Sequence, residues 1–238
     1  YGMTENTAGI SLNYHEHNKI GSVGKCMPFF DLKIANDGEV LIKGDNVMKG
    51  YYKNPVATKE TIVDGWLHTG DVGKIDSNGF LSITGRKKEI YVSSSGKNVA
   101  PLVIEETIKS IPIVSQCFLV GDGKKYCAAL VTLDMGVILR DKIGIDSDTI
   151  PKDPNQQSQM ISDCGKSLSD FTDNKDIYSE ISKDIDELNK RFSNPEQIKK
   201  FSILPRDFNI DEGELTPTLK IRRKQINDNW KLIIDKMY

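Results

Sequence analysis

The stretch Asp31-Leu32-Lys33-Ile34-Ala35-Asn36-Asp37-Gly38-Glu39-Val40-Leu41-Ile42 alternates apolar and polar residues on both sides of Asp37-Gly38. Period-two alternation is what half-buried strands require, and an Asp-Gly pair is a strong turn signal. The stretch predicts a β-hairpin and, with its neighbours, a strand-rich amino-terminal part. Further on, Pro55 to Val63 predicts a short helix, because Pro suits the first helical turn and Asp64-Gly65 stops it. The turn cluster Asp76-Ser77-Asn78-Gly79 lies between the apolar pieces DVGKI and FLSITG and predicts a second hairpin.

The run Gly85-Arg86-Lys87-Lys88-Glu89 then interrupts the strands with exposed charge, as a linker does, and a new alternating strand begins at Ile90 to Val92. We place a domain boundary there, with residues 1–85 ahead of it and residues 86–238 behind it. In the second part, Pro101 to Ser110 has apolar residues at Leu102, Val103, Ile104 and Ile108, acids early and Lys109 late, which predicts a helix aligned with its macrodipole. Residues 115–134 read as two strands, VSQCFLV and YCAALVTL, around a Gly-Asp-Gly-Lys-Lys turn. Residues 145–175 are rich in Asp, Ser, Asn and Gln and are expected to form a loosely packed excursion. Ile177, Ile181, Ile185, Leu188 and Phe192 then mark one apolar helical face, expected to pack on this domain. Trp230, Ile233, Ile234 and Met237 repeat the pattern in a last helix. The fold class is α+β: the β-rich end of a large domain, then a small mixed α+β domain.

A length of 238 residues is enough for two cores, and a net charge of −2 with 28 % charged residues gives no global field for nucleic acid or anionic membrane. Cys26, Cys117, Cys127 and Cys164 are far apart in sequence and make no CxxC or Cys/His spacing, so reduced thiols in an intracellular protein are expected. No apolar run reaches the ~18–20 residues that cross a bilayer. The chain opens Tyr1-Gly2-Met3-Thr4-Glu5 without an initiator methionine and looks like part of a longer polypeptide.

Five segments carry chemistry. Tyr1-Gly2-Met3-Thr4-Glu5 alone fits any strand-to-loop junction. Gly65-Trp66-Leu67-His68-Thr69-Gly70-Asp71 ends in a carboxylate able to accept hydrogen bonds from two adjacent hydroxyls, as on a ribose; the plain alternative is Asp71 capping a turn. Gly85-Arg86-Lys87-Lys88-Glu89 adds a fixed cation. Ser93-Ser94-Ser95-Gly96-Lys97-Asn98 is a small-residue loop that could admit a thin chain or a phosphate, without P-loop spacing. Leu215-Thr216-Pro217-Thr218-Leu219-Lys220 carries a lone lysine, followed by Arg222, Arg223 and Lys224, which taken alone form a solvated basic face. They lack the aromatic platform and broad basic field of a nucleic-acid site, so no nucleic-acid partner is expected.

In this order and spacing, YGMTE, GWLHTGD, GRKKEI and PTLKIRR resemble the core motifs of the adenylate-forming (AMP-binding) superfamily over nearly the whole chain. SSSGKNVAPLVIEE and LTPTLK resemble its long-chain fatty acyl-CoA synthetase branch. The resemblance implies an AMP-forming acid–thiol ligase using ATP, Mg2+ and coenzyme A on a long-chain fatty acid. It also implies roles for individual residues. Tyr1 stacks beside adenine, Thr4 meets the α-phosphate and Glu5 holds the magnesium. Asp71 binds the ribose hydroxyls with Arg86 nearby, and Ile83 lines the nucleotide pocket. Lys88 is the hinge about which a mobile lid domain rotates, Lys220 is catalytic in adenylation, and Ser94, Ser95, Gly96 and Lys97 line the CoA route. His68 is given no proton-transfer role. The family's upstream phosphate loop and acyl tunnel have no counterpart in these residues, so the 238 residues alone are expected to be inactive. Peripheral membrane association on a cytosolic face, or a cytoplasmic location, follows from the same resemblance. Adenylation with another acid or acceptor, and a non-catalytic interaction module, are the competing readings.

Overall fold

Asp37-Gly38 closes the turn between β3 (Asp31–Ile34) and β4 (Glu39–Lys43), which pair antiparallel from Asp31 opposite Lys43 to Ile34 opposite Val40. Ahead of them, β1 (Ser11–Leu12) pairs with β2 (Lys25–Cys26). Helix α1 (Pro55–Thr61) is capped by the Asn54 side chain, which accepts from the Ala57 N–H. It ends two residues before the predicted Val63. Ile62 and Val63 form β5 instead, because Asp64 and Gly65 both take positive φ and fold β5 back onto β6 (Trp66–Ile75) in a two-residue hairpin. The predicted second hairpin is β6 with β7 (Leu81–Arg86). The sheet runs β3-β4-β6-β5, with β7 also on β6. Ile10, Val40, Ile42, Leu67 and Leu81 are buried at its core.

The computed structural model describes residues 1–94 and 96–238, and these form two compact units, Tyr1–Ile90 and Tyr91–Tyr238. In the second unit, β8 (Tyr91–Val92) and β9 (Asn98–Val99) make a short hairpin ahead of α2 (Pro101–Ile108). Strand β10 (Val114–Val120) pairs antiparallel with β11 (Cys127–Leu133), which pairs parallel with β12 (Ile198–Ile203). Every residue of β11 is buried, as its near-continuous apolar run requires of a strand covered on both faces. On one face Cys117, Leu119, Ala129 and Val131 meet α2 and α6 (Lys175–Asn189) through Ile104, Ile108, Ile177, Ile181 and Ile185. On the other, Phe118, Val120, Ala128 and Leu130 meet Phe208, Ile226, Ile234 and Met237. The α6 stripe thus packs on its own unit, as its periodicity predicts.

Two sequence expectations are corrected here. Residues 145–175 are not a loose excursion: α3 (Met135–Val137) leads through a π-helical turn into this region, which then carries α4 (Pro154–Asp163) and α5 (Ser169–Thr172). Ile161 and Phe171 anchor those helices in the core, at 3 % and 5 % exposure. Half-buried Ile145, Ile150, Met160 and Leu168 pack against the same core, so a few well-placed apolar side chains suffice where average composition is polar. The closing helix expected from Trp230 to Met237 is α8 (Lys231–Lys236), and a helix absent from the sequence reading, α7 (Arg223–Asn229), precedes it and meets it at Trp230. Finally, Arg223 is not solvated. It forks onto the buried Glu105 carboxylate at 2.8 and 2.7 Å, and Glu105 also accepts the Leu119 N–H at 2.8 Å.

That pair yields a stability prediction. In Arg223→Met the Glu105 charge stays buried with one backbone donor, and removing one partner of a buried pair costs about 3–5 kcal/mol. The denaturant midpoint of the second unit should fall accordingly. Arg223→Met combined with Glu105→Gln should lose clearly less, and equal losses would assign the effect to packing alone.

Candidate active site

Of the first-unit site residues, Tyr1 and Arg86 meet at Asp71. Along β6, Leu67, Thr69, Asp71 and Gly73 are buried while Trp66, His68, Gly70 and Val72 between them are half-buried, so the period of two turns a carboxylate toward the interior. The register between β4 and β6 shifts between Glu39 and Leu41, where Glu39 lies opposite Val72 and Leu41 opposite His68. This is a bulge. Gly70 sits in it at φ +73°, a conformation that favours glycine. Thr69 stabilises the irregular backbone, its hydroxyl donating to the Val40 carbonyl at 2.8 Å and accepting the Asp71 N–H at 3.0 Å.

The bulge aims Asp71 at two partners. The Tyr1 hydroxyl donates to Oδ2 at 2.5 Å and Arg86 Nε to Oδ1 at 2.7 Å. Burial first, and then the hydrogen bond to Asp71, push the Tyr1 phenol well above its ordinary range, so it acts as a donor and stays neutral. Each carboxylate oxygen has two lone-pair sites, so Asp71 keeps acceptor capacity beyond these partners. Arg86 is exposed and Ile83 is half-buried against the same core cluster as Tyr1.

Thr4 and Glu5 lie on a 3-10 turn, Thr4–Asn6. Gly2 has no room for a side chain there, since a Cβ would stand 1.5 Å from the Ala8 carbonyl oxygen. Glu5 is half-buried, with Oε1 accepting from the Tyr51 hydroxyl at 2.9 Å. Among the described residues no three His, Cys, Asp or Glu side chains gather as a metal cluster. A lone carboxylate fits Mg2+, which commonly takes one or two protein carboxylates and completes its shell with water and substrate phosphates. Tyr51 was missed in the sequence, where it is one aromatic of the pair Tyr51-Tyr52 with nothing to mark it.

The network around Glu39 was missed as well. Glu39 is buried at 4 % exposure and accepts from Gly70 N–H at 2.8 Å and Lys87 Nζ at 3.0 Å, with His68 Nδ1 at 2.9 Å. Lys87 also bonds Asp37 at 2.7 Å. Burial pushes the Glu39 carboxyl up, yet the His68 ring, Lys87 and the Gly70 N–H outweigh it and hold it below the usual carboxylate range. Next in sequence, Lys88 is exposed on the 3-10 turn Lys87–Glu89.

In the second unit, Ser94, Gly96 and Lys97 lie in the loop between β8 and β9; Ser95 lies outside the described residues. The Lys97 N–H bonds Ser93 Oγ at 3.0 Å, the Gly96 N–H the Ser93 carbonyl at 2.8 Å, and the Ser94 N–H the Lys124 carbonyl at 3.1 Å. Gly96 takes φ +74° with open space around it. Lys220 is exposed on a tight loop closed by the bridge between Leu215 and Ile221. Inside it the Lys220 N–H meets Thr216 Oγ1 at 3.0 Å, and Thr216 N–H meets the Lys220 carbonyl at 2.9 Å. At its base the fully buried Glu214 accepts from Arg206 at 2.6 Å, from Trp230 Nε1 at 2.7 Å and from Asn229 at 3.1 Å. The loop is fixed and its lysine is presented to solvent.

A buried carboxylate at a strand bulge, flanked by a phenol and a guanidinium, can accept further hydrogen bonds from hydroxyl groups. The comparisons give the chain a family. Residues 1–52 match the AMP-binding enzyme family, and residues 88–146 match the AMP-binding enzyme C-terminal domain. Over its whole length the chain is 40 % identical to the long-chain-fatty-acid–CoA ligase FadD15 of Mycobacterium bovis and 35 % identical to the long-chain-fatty-acid–CoA ligase ACSBG1 of Homo sapiens, spanning 37 % and 34 % of their lengths. It also superimposes on the o-succinylbenzoate coenzyme A synthetase of Bacillus subtilis, solved with ATP and magnesium, at TM-score 0.63 and 25 % identity, covering 96 % of this chain and 40 % of that one. The chain therefore carries segments of AMP-binding family domains, and the relatives FadD15 and ACSBG1 that match its whole length are long-chain-fatty-acid–CoA ligases.

Proposed function

We propose that these residues serve an AMP-forming acyl-CoA synthetase that activates a long-chain fatty acid with ATP and transfers it to coenzyme A. The observation that carries this reading is Asp71, buried in a bulge and bonded to both Tyr1 and Arg86. Its remaining lone pairs suit the two hydroxyls of a ribose, and the Tyr1 ring, held by its own hydroxyl, suits the face of an adenine. Thr4 meets the α-phosphate and Ile83 lines the pocket. Glu5 would hold Mg2+, which would supply charge neutralisation at the phosphates. In the first step a carboxylate oxygen of the acid attacks the α-phosphorus and pyrophosphate leaves. Lys220 supports the charge that builds on carboxylate and phosphate. In the second, the CoA sulfur attacks the acyl carbon, AMP leaves and the thiol proton passes to solvent. The loop of Ser94, Ser95, Gly96 and Lys97 lines the CoA approach.

Two steps with different charge demands need two surfaces, and a hinge at Lys88 with residues 86–238 as the moving domain supplies them. A long-chain substrate partitions into bilayers, so peripheral association with a cytosolic membrane face belongs to the same reading; among the described residues no helix is long and apolar enough to cross a membrane.

The test is palmitate-dependent ATP–pyrophosphate exchange by the complete polypeptide, followed by CoA-dependent AMP release. Exchange with palmitate and thioester formation are expected. Exchange only with an aromatic or short acid would keep the adenylating chemistry and remove the fatty-acid assignment, and no exchange with any acid would leave an interaction module.

A further inference from the structure

We propose that Glu39 is a positioning residue whose carboxylate links the strand that aims Asp71 to the turn that carries Lys88, so that one buried charge sets both ATP affinity and the behaviour of the hinge. The inference rests on the nucleotide role of Asp71 and the hinge role of Lys88.

The two carboxylate oxygens divide the work. Oε1 accepts the Gly70 N–H, the donor that the bulge withdraws from the ladder one residue before Asp71. Oε2 faces His68 Nδ1, three residues before Asp71, and Lys87 Nζ, one residue before Lys88. Lys87 is also fixed by Asp37, at the turn that leads into β4. One strand end therefore holds both segments.

Satisfying the Gly70 N–H needs only a neutral acceptor. A glutamine would do it. Keeping a full negative charge at 4 % exposure carries a large desolvation cost, which is offset only if cationic partners use that charge. The cation that does so is Lys87, whose side chain is 40 % exposed. It does not need burial for its own sake and instead ties the 87–89 turn to the sheet. Glu39 touches neither substrate nor reacting atoms, so it acts through Gly70 and Lys87.

Two substitutions in the complete polypeptide separate the two arms. Glu39→Gln is expected to raise KM for ATP in pyrophosphate exchange by about tenfold with kcat within about twofold, the pattern of lost binding geometry. Lys87→Met is expected to leave KM for ATP within about twofold while changing the rate of thioester formation from preformed palmitoyl-adenylate by about threefold or more. Thermal midpoints are measured alongside, because a merely structural role would lower them without splitting the kinetic constants. Unchanged KM in Glu39→Gln, or an unchanged thioester rate in Lys87→Met, overturns the link. Asp71→Asn is run in parallel: if it too leaves ATP use unaltered, the nucleotide reading of the site fails, whereas a defect there beside normal Glu39→Gln kinetics removes only the role given to Glu39.

Discussion

Lys220→Ala in the complete polypeptide is expected to slow palmitate-dependent pyrophosphate exchange by about 10²–10³-fold, the usual cost of removing one preorganised group from a developing charge. Thioester formation from preformed palmitoyl-adenylate should stay within about threefold of the parent. The structure makes this a clean substitution. The Lys220 side chain is exposed, and the loop is held by the backbone of residue 220, by Thr216 and by Glu214. Alanine keeps those bonds, so the thermal midpoint should scarcely move. Exchange that survives in the variant would remove Lys220 from the chemistry. Loss of both half-reactions together would assign it to substrate binding in general, against a role confined to the first step.

The sequence showed the elements and hid the couplings between them. Hairpins at 31–42 and 71–85 and the α6 stripe follow from periodicity and turn residues, which are local properties. The inner-face position of Asp71, beside Leu67 and Thr69, came only with the full extent of β6, since the sequence marked a strand there only from Asp71 onward. What a one-dimensional reading lacks is the partner. Glu39 is an ordinary charged residue after a turn until the bulge brings Gly70 and His68 to it. Arg223 belongs to a basic run until α7 lays it against Glu105, 118 residues earlier. Average composition misled in 145–175, because burial is decided by the few apolar side chains that find the core, here Ile161 and Phe171.

Asp71→Asn is the second large effect expected, and it separates a ligand-binding carboxylate from a structural one. Asparagine keeps the shape but has one acceptor oxygen with two lone pairs in place of two such oxygens, and its NH2 is a donor, so it cannot accept from Tyr1, Arg86 and both hydroxyls of a diol together. Losing a charge-assisted acceptor costs about 1.5–3 kcal/mol, so KM for ATP should rise by about 10- to 100-fold. The stability cost should be smaller. Arg86, the cationic partner, is 49 % exposed, and screened pairs of that kind contribute about 0–1 kcal/mol. The bulge itself is untouched, since the Thr69 hydroxyl bonds the main-chain N–H of residue 71 and not its side chain. ATP titration of exchange and a thermal melt on the same protein therefore give opposite signatures for the two roles. A raised KM with a nearly constant midpoint marks Asp71 as the ribose acceptor. A lowered midpoint with unchanged KM would mark it as a latch for Tyr1 and Arg86, and the nucleotide site would have to be sought elsewhere.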